Sequence, residues 1–182
     1  MRSIRETALA FDRACRRSGV RYALVGGFAV MAWGQPRATT DVDALTRLDG
    51  IKLEAFVLEL SRERLRASVQ DLQDMMREGG HATVLDEESN YHVDLKPARN
   101  AAEREQVDSA QEVVFDDGFL RVASAEHTIA FKIKYGSERD LQDARSILSK
   151  LGPDLDQTKL DRLALQLGVR AKLDALRRDV PG

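Results

Sequence analysis

An apolar run, Tyr22-Ala23-Leu24-Val25, breaks on a glycine pair, Gly26-Gly27, and resumes as Phe28-Ala29-Val30-Met31-Ala32-Trp33. The first run is short and apolar throughout, as a buried strand is. The second is glycine-free and stops at Gly34 and Pro36, which predicts a helix packed on a sheet. A buried strand that turns directly into a buried helix requires layers on both sides of it, so the chain is constrained to an α/β arrangement. After a short connection comes Arg37-Ala38-Thr39-Thr40-Asp41-Val42-Asp43. Read as a strand over Asp41–Leu45, this segment puts Asp41 and Asp43 on one face and Val42 on the other. Two like charges that close repel unless a positive charge lies between them. A divalent metal beside a phosphate-cradling glycine turn points to nucleotide chemistry. The glycine pair also fits a plain tight turn, and the two acids a solvated strand end.

Helix and strand patterns alternate along the rest of the chain. Residues 3–18 predict an amphipathic helix closed by Gly19. Ile51–Arg66 and Val69–Glu78 read as helices, and Gly79-Gly80 turns the chain into strands at Ala82–Asp86 and Tyr91–Lys96. Pro97 limits the second of these. A helix follows near Ala101–Ser109. Glu112–Phe115 and Phe119–Ala123 flank Asp116-Asp117-Gly118, a hairpin signal. Four helices are predicted after Ser124, near 125–135, 138–151, 157–167 and 169–179. The expected layout is an α/β domain over residues 1–123 and a helical C-terminal region over 124–182 packed on it.

The strand Tyr91–Lys96 supplies a third acid. Alternation sends Tyr91, Val93 and Leu95 inward, and His92, Asp94 and Lys96 to the opposite face. An acid in an otherwise apolar strand is costly to bury without a partner. Asp94 therefore serves either as a third metal-directed carboxylate or as a partner for His92 or Lys96. Magnesium is usually held by a few carboxylates together with substrate phosphates, and two ions can clamp an in-line phosphoryl displacement.

Composition narrows the alternatives. Among 182 residues, 28 basic and 30 acidic side chains leave a net charge of −2, so there is no global attraction to nucleic acid or anionic membrane. A single cysteine, Cys15, rules out an internal disulfide and any multi-cysteine metal site. No apolar run reaches the length of a membrane span or a secretion signal, and a cytoplasmic location is expected. P-loop, Rossmann, zincin and nucleophile-elbow motifs are absent.

Taken in order, Gly26-Gly27, Asp41-Val42-Asp43 and Asp94 resemble the nucleotidyltransferase superfamily of DNA polymerase β type. The likeness is to its minimal Gly-Gly members, including those of AbiEii-like type IV toxin–antitoxin systems. Arg37-x-Thr39-x-Asp41-x-Asp43, the lysine in Glu126–Lys132 and the Arg139-Asp140-x-x-Asp143 element are similar to motifs of the same group. The resemblance covers residues 22–148. It implies a mixed or antiparallel sheet flanked by helices, and transfer of a nucleoside monophosphate from an NTP to a hydroxyl with release of pyrophosphate. The acceptor would be tRNA, a partner protein or a small molecule, and a cognate toxin or antitoxin would be a further partner. Asp41, Asp43 and Asp94 would hold Mg²⁺, as one or two ions replaceable by Mn²⁺, with Asp94 alternatively the base toward the acceptor. Gly26, Gly27, Arg37, Thr39 and Lys132 would contact the nucleotide. On helical spacing alone, Lys132 also fits a solvated lysine, and Arg139 and Asp143 an i,i+4 surface pair. A non-catalytic binding module on the same fold is the alternative from another class.

Overall fold

The computed structural model describes residues 1–36, 38–115 and 118–179. Its strands are β1 (Arg21–Leu24), β2 (Val42–Arg47), β3 (Leu65–Arg66), β4 (Ala82–Asp86), β5 (His92–Pro97), β6 (Gln111–Phe115) and β7 (Gly118–Val122). They form one mixed sheet in the order β3-β4-β5-β2-β1-β7-β6. The pairs β1/β7 and β2/β5 are parallel and the others antiparallel. Around the sheet lie α1 (Ile4–Ser18), α2 (Gly26–Trp33), α3 (Leu53–Arg62), α4 (Val69–Glu78) and α5 (Ala101–Asp108). Four helices follow: α6 (Ala125–Tyr135), α7 (Glu138–Leu151), α8 (Gln157–Gln166) and α9 (Arg170–Asp179). None of the described helices is long and apolar enough to cross a membrane.

Local chemistry sets most of these boundaries. The Ser3 hydroxyl accepts from the Glu6 amide at 3.3 Å, and the Glu6 carboxylate accepts from the Ser3 amide at 2.7 Å, a reciprocal cap for α1. Ser137 with Asp140 and Asn100 with Glu103 start α7 and α5 in the same way.

Two predicted elements are corrected. The expected helix over Ile51–Arg66 stops at Arg62, and β3 follows. The apolar stripe of α3 runs through Leu53, Phe56 and Leu60, and its next turn would bring Glu63 and Arg64 inward. Leu65 is buried instead by pairing with Asp86 on β4, after Arg64 turns the chain at φ +58. Strand β2 begins at Val42 rather than Asp41. The hairpin β6–β7 forms as predicted, while Asp116 and Asp117 of its turn lie outside the described residues.

Strand alternation divides the sheet into two unlike faces. Tyr22, Leu24, Val42, Ala44, Val93 and Leu95 point to the side covered by α1, α3 and α4, where they join Phe11, Phe28, Phe56 and Leu60 in the main core. Ala23, Leu45 and Ala123 point to the other side and meet Val107 of α5 and Ala98 in a much smaller cluster. The second face is thus only partly covered, and Asp43, between Ala44 and Val42, opens onto it. A separate core joins α6–α9 around Ile129, Ile133, Ile147, Leu160 and Leu173. Val30 of α2 belongs to that core, and Trp33 touches both it and the main one. The indole N–H of Trp33 donates to the Ala123 carbonyl at 2.7 Å, tying α2 to the entry of α6.

Candidate active site

The glycine turn and the acids are brought together by strand pairing. Parallel pairing of β2 with β5 sets Asp43 directly beside Asp94. Neighbouring strands lie about 4.8 Å apart, so the two carboxylates leave the same face as neighbours. On the other side of β2, the Val25 amide donates to the Asp43 carbonyl at 2.9 Å, which holds the end of β1 and the glycine turn against Asp43. Gly26 has φ +57, and a Cβ there would overlap Oδ2 of Asp43. Both observations require glycine. Gly27 has an ordinary backbone, but a Cβ on it would lie 2.5 Å from Oγ1 and 2.8 Å from Cβ of Thr39. The predicted turn is also the first turn of α2, which starts at Gly26 and not at Phe28. Val25 in the N-cap position gives no side-chain cap, and the first amides of a helix have no partner within it, so this end is suited to an anion.

Each acid has a partner in the protein. Asp41 lies one residue before β2, where the hydroxyls of Thr39 and Thr40 each donate to its Oδ1 at 3.3 Å. Asp43 Oδ1 accepts from the Lys96 ammonium at 3.3 Å. Asp94 Oδ1 accepts from the Thr83 hydroxyl on β4 at 2.9 Å, and its Oδ2 is 3.6 Å from Nε2 of His92. Of the two partners expected for Asp94 in its own strand, His92 is there and Lys96 is turned to Asp43. Among the described residues no three His, Cys, Asp or Glu side chains are gathered closely enough to hold an ion as they stand. The structure therefore brings Asp43 and Asp94 together and leaves Asp41 at the threonine turn. The donors on offer are carboxylates and hydroxyls, a set suited to a hard cation such as Mg²⁺ rather than to a soft metal.

Asp43 opens into a cleft of ≈ 500 Å³, lined on the sheet side by Val25, Gly26, Leu45, Lys96 and Pro97. Arg99, Asn100, Glu103 and Gln106 of the β5–α5 segment form one wall, and Thr128, Phe131, Lys132 and Tyr135 of α6 form the other. The α6 residues are spaced i, i+3, i+4, i+7, one stripe of a helix. Lys132 lines the cleft, and its ammonium is held by Asp140 at 2.7 Å and Asp143 at 2.9 Å. Burial raises the Asp140 carboxyl, and the hydrogen bonds from Lys132 and Ser137 outweigh it, so the net shift is downward. Asp143 thus meets Lys132 across the packing of α6 on α7. Arg37 lies outside the described residues.

Sequence reading missed Arg99 and Tyr135. The Arg99 guanidinium donates to the carbonyls of Arg77 and Glu78 at the end of α4, and it packs where a Cβ on Gly79 would be. Tyr135 is 69% exposed at the mouth of the cleft, its ring 6.2 Å from that of Phe131. The helical stripe through Lys132 was the available signal for Tyr135; for Arg99 there was none, because its neighbours come from a distant helix.

A mixed sheet that pairs the strand after a glycine turn with an acid-bearing parallel neighbour, capped by a helical C-terminal segment, is the nucleotidyltransferase fold. Comparison with solved structures bears this out. ANT(2″)-Ia, solved in complex with adenylyl-2″-tobramycin, superposes with a TM-score of 0.60 at 16% identity, over 93% of this chain and 99% of that one. The lincosamide antibiotic adenylyltransferase LnuA, lincomycin-bound, gives 0.54 at 18% identity over 81% and 97%. An antigenic nucleotidyltransferase-like protein from Paracoccidioides brasiliensis gives 0.53 at 18% over 97% and 93%. No protein-family profile and no curated protein matches the sequence. At such identities the likeness establishes the fold.

Proposed function

We propose that the protein is a nucleotidyltransferase that moves a nucleoside monophosphate from an NTP to a hydroxyl of a small molecule. The observation that carries this reading is the pairing of Asp43 with Asp94 directly beneath a glycine turn that has no room for a side chain. The amides of Gly26 and Gly27 bind phosphate oxygens, and Thr39 fixes Asp41. Asp41, Asp43 and Asp94 would hold Mg²⁺, with Mn²⁺ as a substitute, and the ion supplies neutralising charge to the transferring phosphate. Asp94 is alternatively the base, taking the proton of the acceptor hydroxyl as that hydroxyl's oxygen bonds to the α-phosphorus. The bond from that phosphorus to the bridging oxygen breaks and pyrophosphate leaves. Lys132 stands on the cleft wall with its charge offset by Asp140 and Asp143, and would meet a phosphate by giving up one of those partners.

A small acceptor is favoured over tRNA by two features. The cleft falls within the range of about 300–1,000 Å³ typical of small-molecule sites. Three arginines of α8 and α9 that could have met nucleic acid are paired with acids: Arg162 with Glu105, Arg170 with Asp161 and Asp174, Arg177 with Asp161. Two structural neighbours were solved with such small molecules bound, one with adenylyl-2″-tobramycin and one with lincomycin. A toxin–antitoxin role would use the same transfer onto tRNA or a partner protein. The test incubates the protein with each α-labelled NTP and Mg²⁺, against a panel of hydroxylated small molecules, tRNA and cell extract. Label is expected in a small molecule, and Asp94→Asn is expected to lower its rate by about 10²–10⁴-fold. Equal labelling by wild type, Asp43→Asn and Asp94→Asn would overturn the assignment.

A further inference from the structure

Resting on that reading, we infer that Lys96 is a positioning residue that exchanges partners: it holds Asp43 while the site is empty and transfers its ammonium to the substrate's departing phosphates when a divalent cation arrives. Three observations lead there. Lys96 is two residues beyond Asp94 on β5, so it leaves the same face of the sheet, and the parallel register places it beside Leu45, one step along β2 from Asp43 on that face. Its ammonium lies 3.3 Å from Asp43 Oδ1, on the carboxylate that a metal would need. Lys96 and Asp43 both line the cleft, and the side chain of Lys96 is 52% exposed, so it has room to swing away from the acid into the space a ligand would fill.

The electrostatics give the exchange its direction. With no metal, Asp43 and Asp94 are adjacent like charges, and the ammonium offsets their repulsion. A divalent cation at Asp43 supplies twice the charge at the same place and repels the ammonium. The anionic phosphates that come with it offer the ammonium a new partner within the cleft. An exposed ion pair is weak, so the first partner is released readily. The Thr83 hydroxyl and the His92 ring hold Asp94, and among the described residues the ammonium that meets the paired acids is that of Lys96.

The exchange makes removal of one positive charge act in opposite directions on two ligands. Mn²⁺ binding, followed by electron paramagnetic resonance and calorimetry without nucleotide, is expected to be about three- to five-fold tighter in Lys96→Met than in wild type. Binding of inorganic pyrophosphate in the presence of Mn²⁺ is expected to be weaker in the same variant. Lys96→Arg, which keeps the charge, should stay close to wild type in both assays, and circular dichroism confirms that each variant is folded. If Lys96→Met leaves Mn²⁺ affinity unchanged while Asp43→Asn weakens it, the exchange is wrong and the metal reading stands. If Asp43→Asn and Asp94→Asn bind Mn²⁺ as wild type does, or wild type binds none, the metal reading falls and the exchange with it. A loss of both affinities in Lys96→Met would mark a structural role and also overturn the proposal.

Discussion

Gly26 and Gly27 are neighbours that are glycine for different reasons, and substitution separates them. Gly26 combines a left-handed backbone with the contact to Asp43. Gly26→Ala is expected to cost about 1–2 kcal/mol from backbone strain alone. It also pushes the Asp43 carboxylate away, so transfer activity should fall far more than the melting temperature does. At Gly27 the obstacle is a side chain, Thr39, which in turn holds Asp41. Gly27→Ala is therefore expected to disturb Asp41 through Thr39. In a Gly27→Ala, Thr39→Gly double variant the two stability losses should be less than additive, which a thermodynamic cycle measures. Sequence showed that a tight turn was needed here. It did not show that each glycine makes room for a particular side chain, because Thr39 and Asp43 are brought to the turn only when β1 pairs with β2.

Among the elements, α6 carries the most unusual chemistry. Lys132 is largely buried between Asp140 and Asp143 of α7, so Lys132→Met would remove the ammonium that both carboxylates meet. A loss of about 3 kcal/mol is expected in denaturant unfolding, with Lys132→Arg retaining most of the stability. Activity loss in Lys132→Met would thus reflect the α6–α7 joint as well as ligand contact. At the other end of α6, His127 is fully buried. Its Nδ1 is 3.0 Å from Ser124 Oγ, and among the described residues its Nε2 has no hydrogen-bond partner, lying 3.8 Å from Glu105. Burial and the nearby Lys159 push its pKa down to about 4, against the opposing pull of Glu105 and Glu126. The unfolded chain, with a histidine pKa near 6.5, binds a proton that the folded chain refuses. His127 therefore contributes stability fully above pH 6.5 and loses it as pH falls toward 4. The slope is at most about 1.4 kcal/mol per pH unit. Unfolding free energies measured across that window should show the slope in wild type and a reduced one in His127→Gln.

The helical periods of α6 and α7 were legible from residue spacing, and so was Lys132. The ion-pair clamp around Lys132 was not, because i,i+4 spacing on α7 suggested an internal Arg139–Asp143 pair and only the packing of α6 on α7 supplies the competing partner. The misread end of α3 has a similar origin. Charged residues and Leu65 continue a plausible helix in sequence, and the free edge of β4 draws Leu65 into a strand.

At the scale of the molecule, Trp33 links the main core to the helical core, and it is the sole tryptophan. A chain whose two cores share α2 is expected to unfold as one unit. Trp33 fluorescence and far-ultraviolet circular dichroism should give coincident transitions; two separated ones would mean that residues 1–123 and 124–182 unfold independently. What the sequence determined by itself was local: the strand–glycine–helix turn, the alternation that exposes Asp94 and Lys96, the capped helices and the hairpin. Each follows from steric limits and hydrophobic period within a few residues. Tertiary structure alone decided that Asp43 and Asp94 are neighbours, that Lys96 turns to the first and not the second, and that Arg99 and Tyr135 line the same cleft as Asp43. Those relations depend on strand order and on which helix covers which face, and these are settled by burying the apolar side of the sheet under α1, α3 and α4. The opposite side is left partly open, with the acids on it.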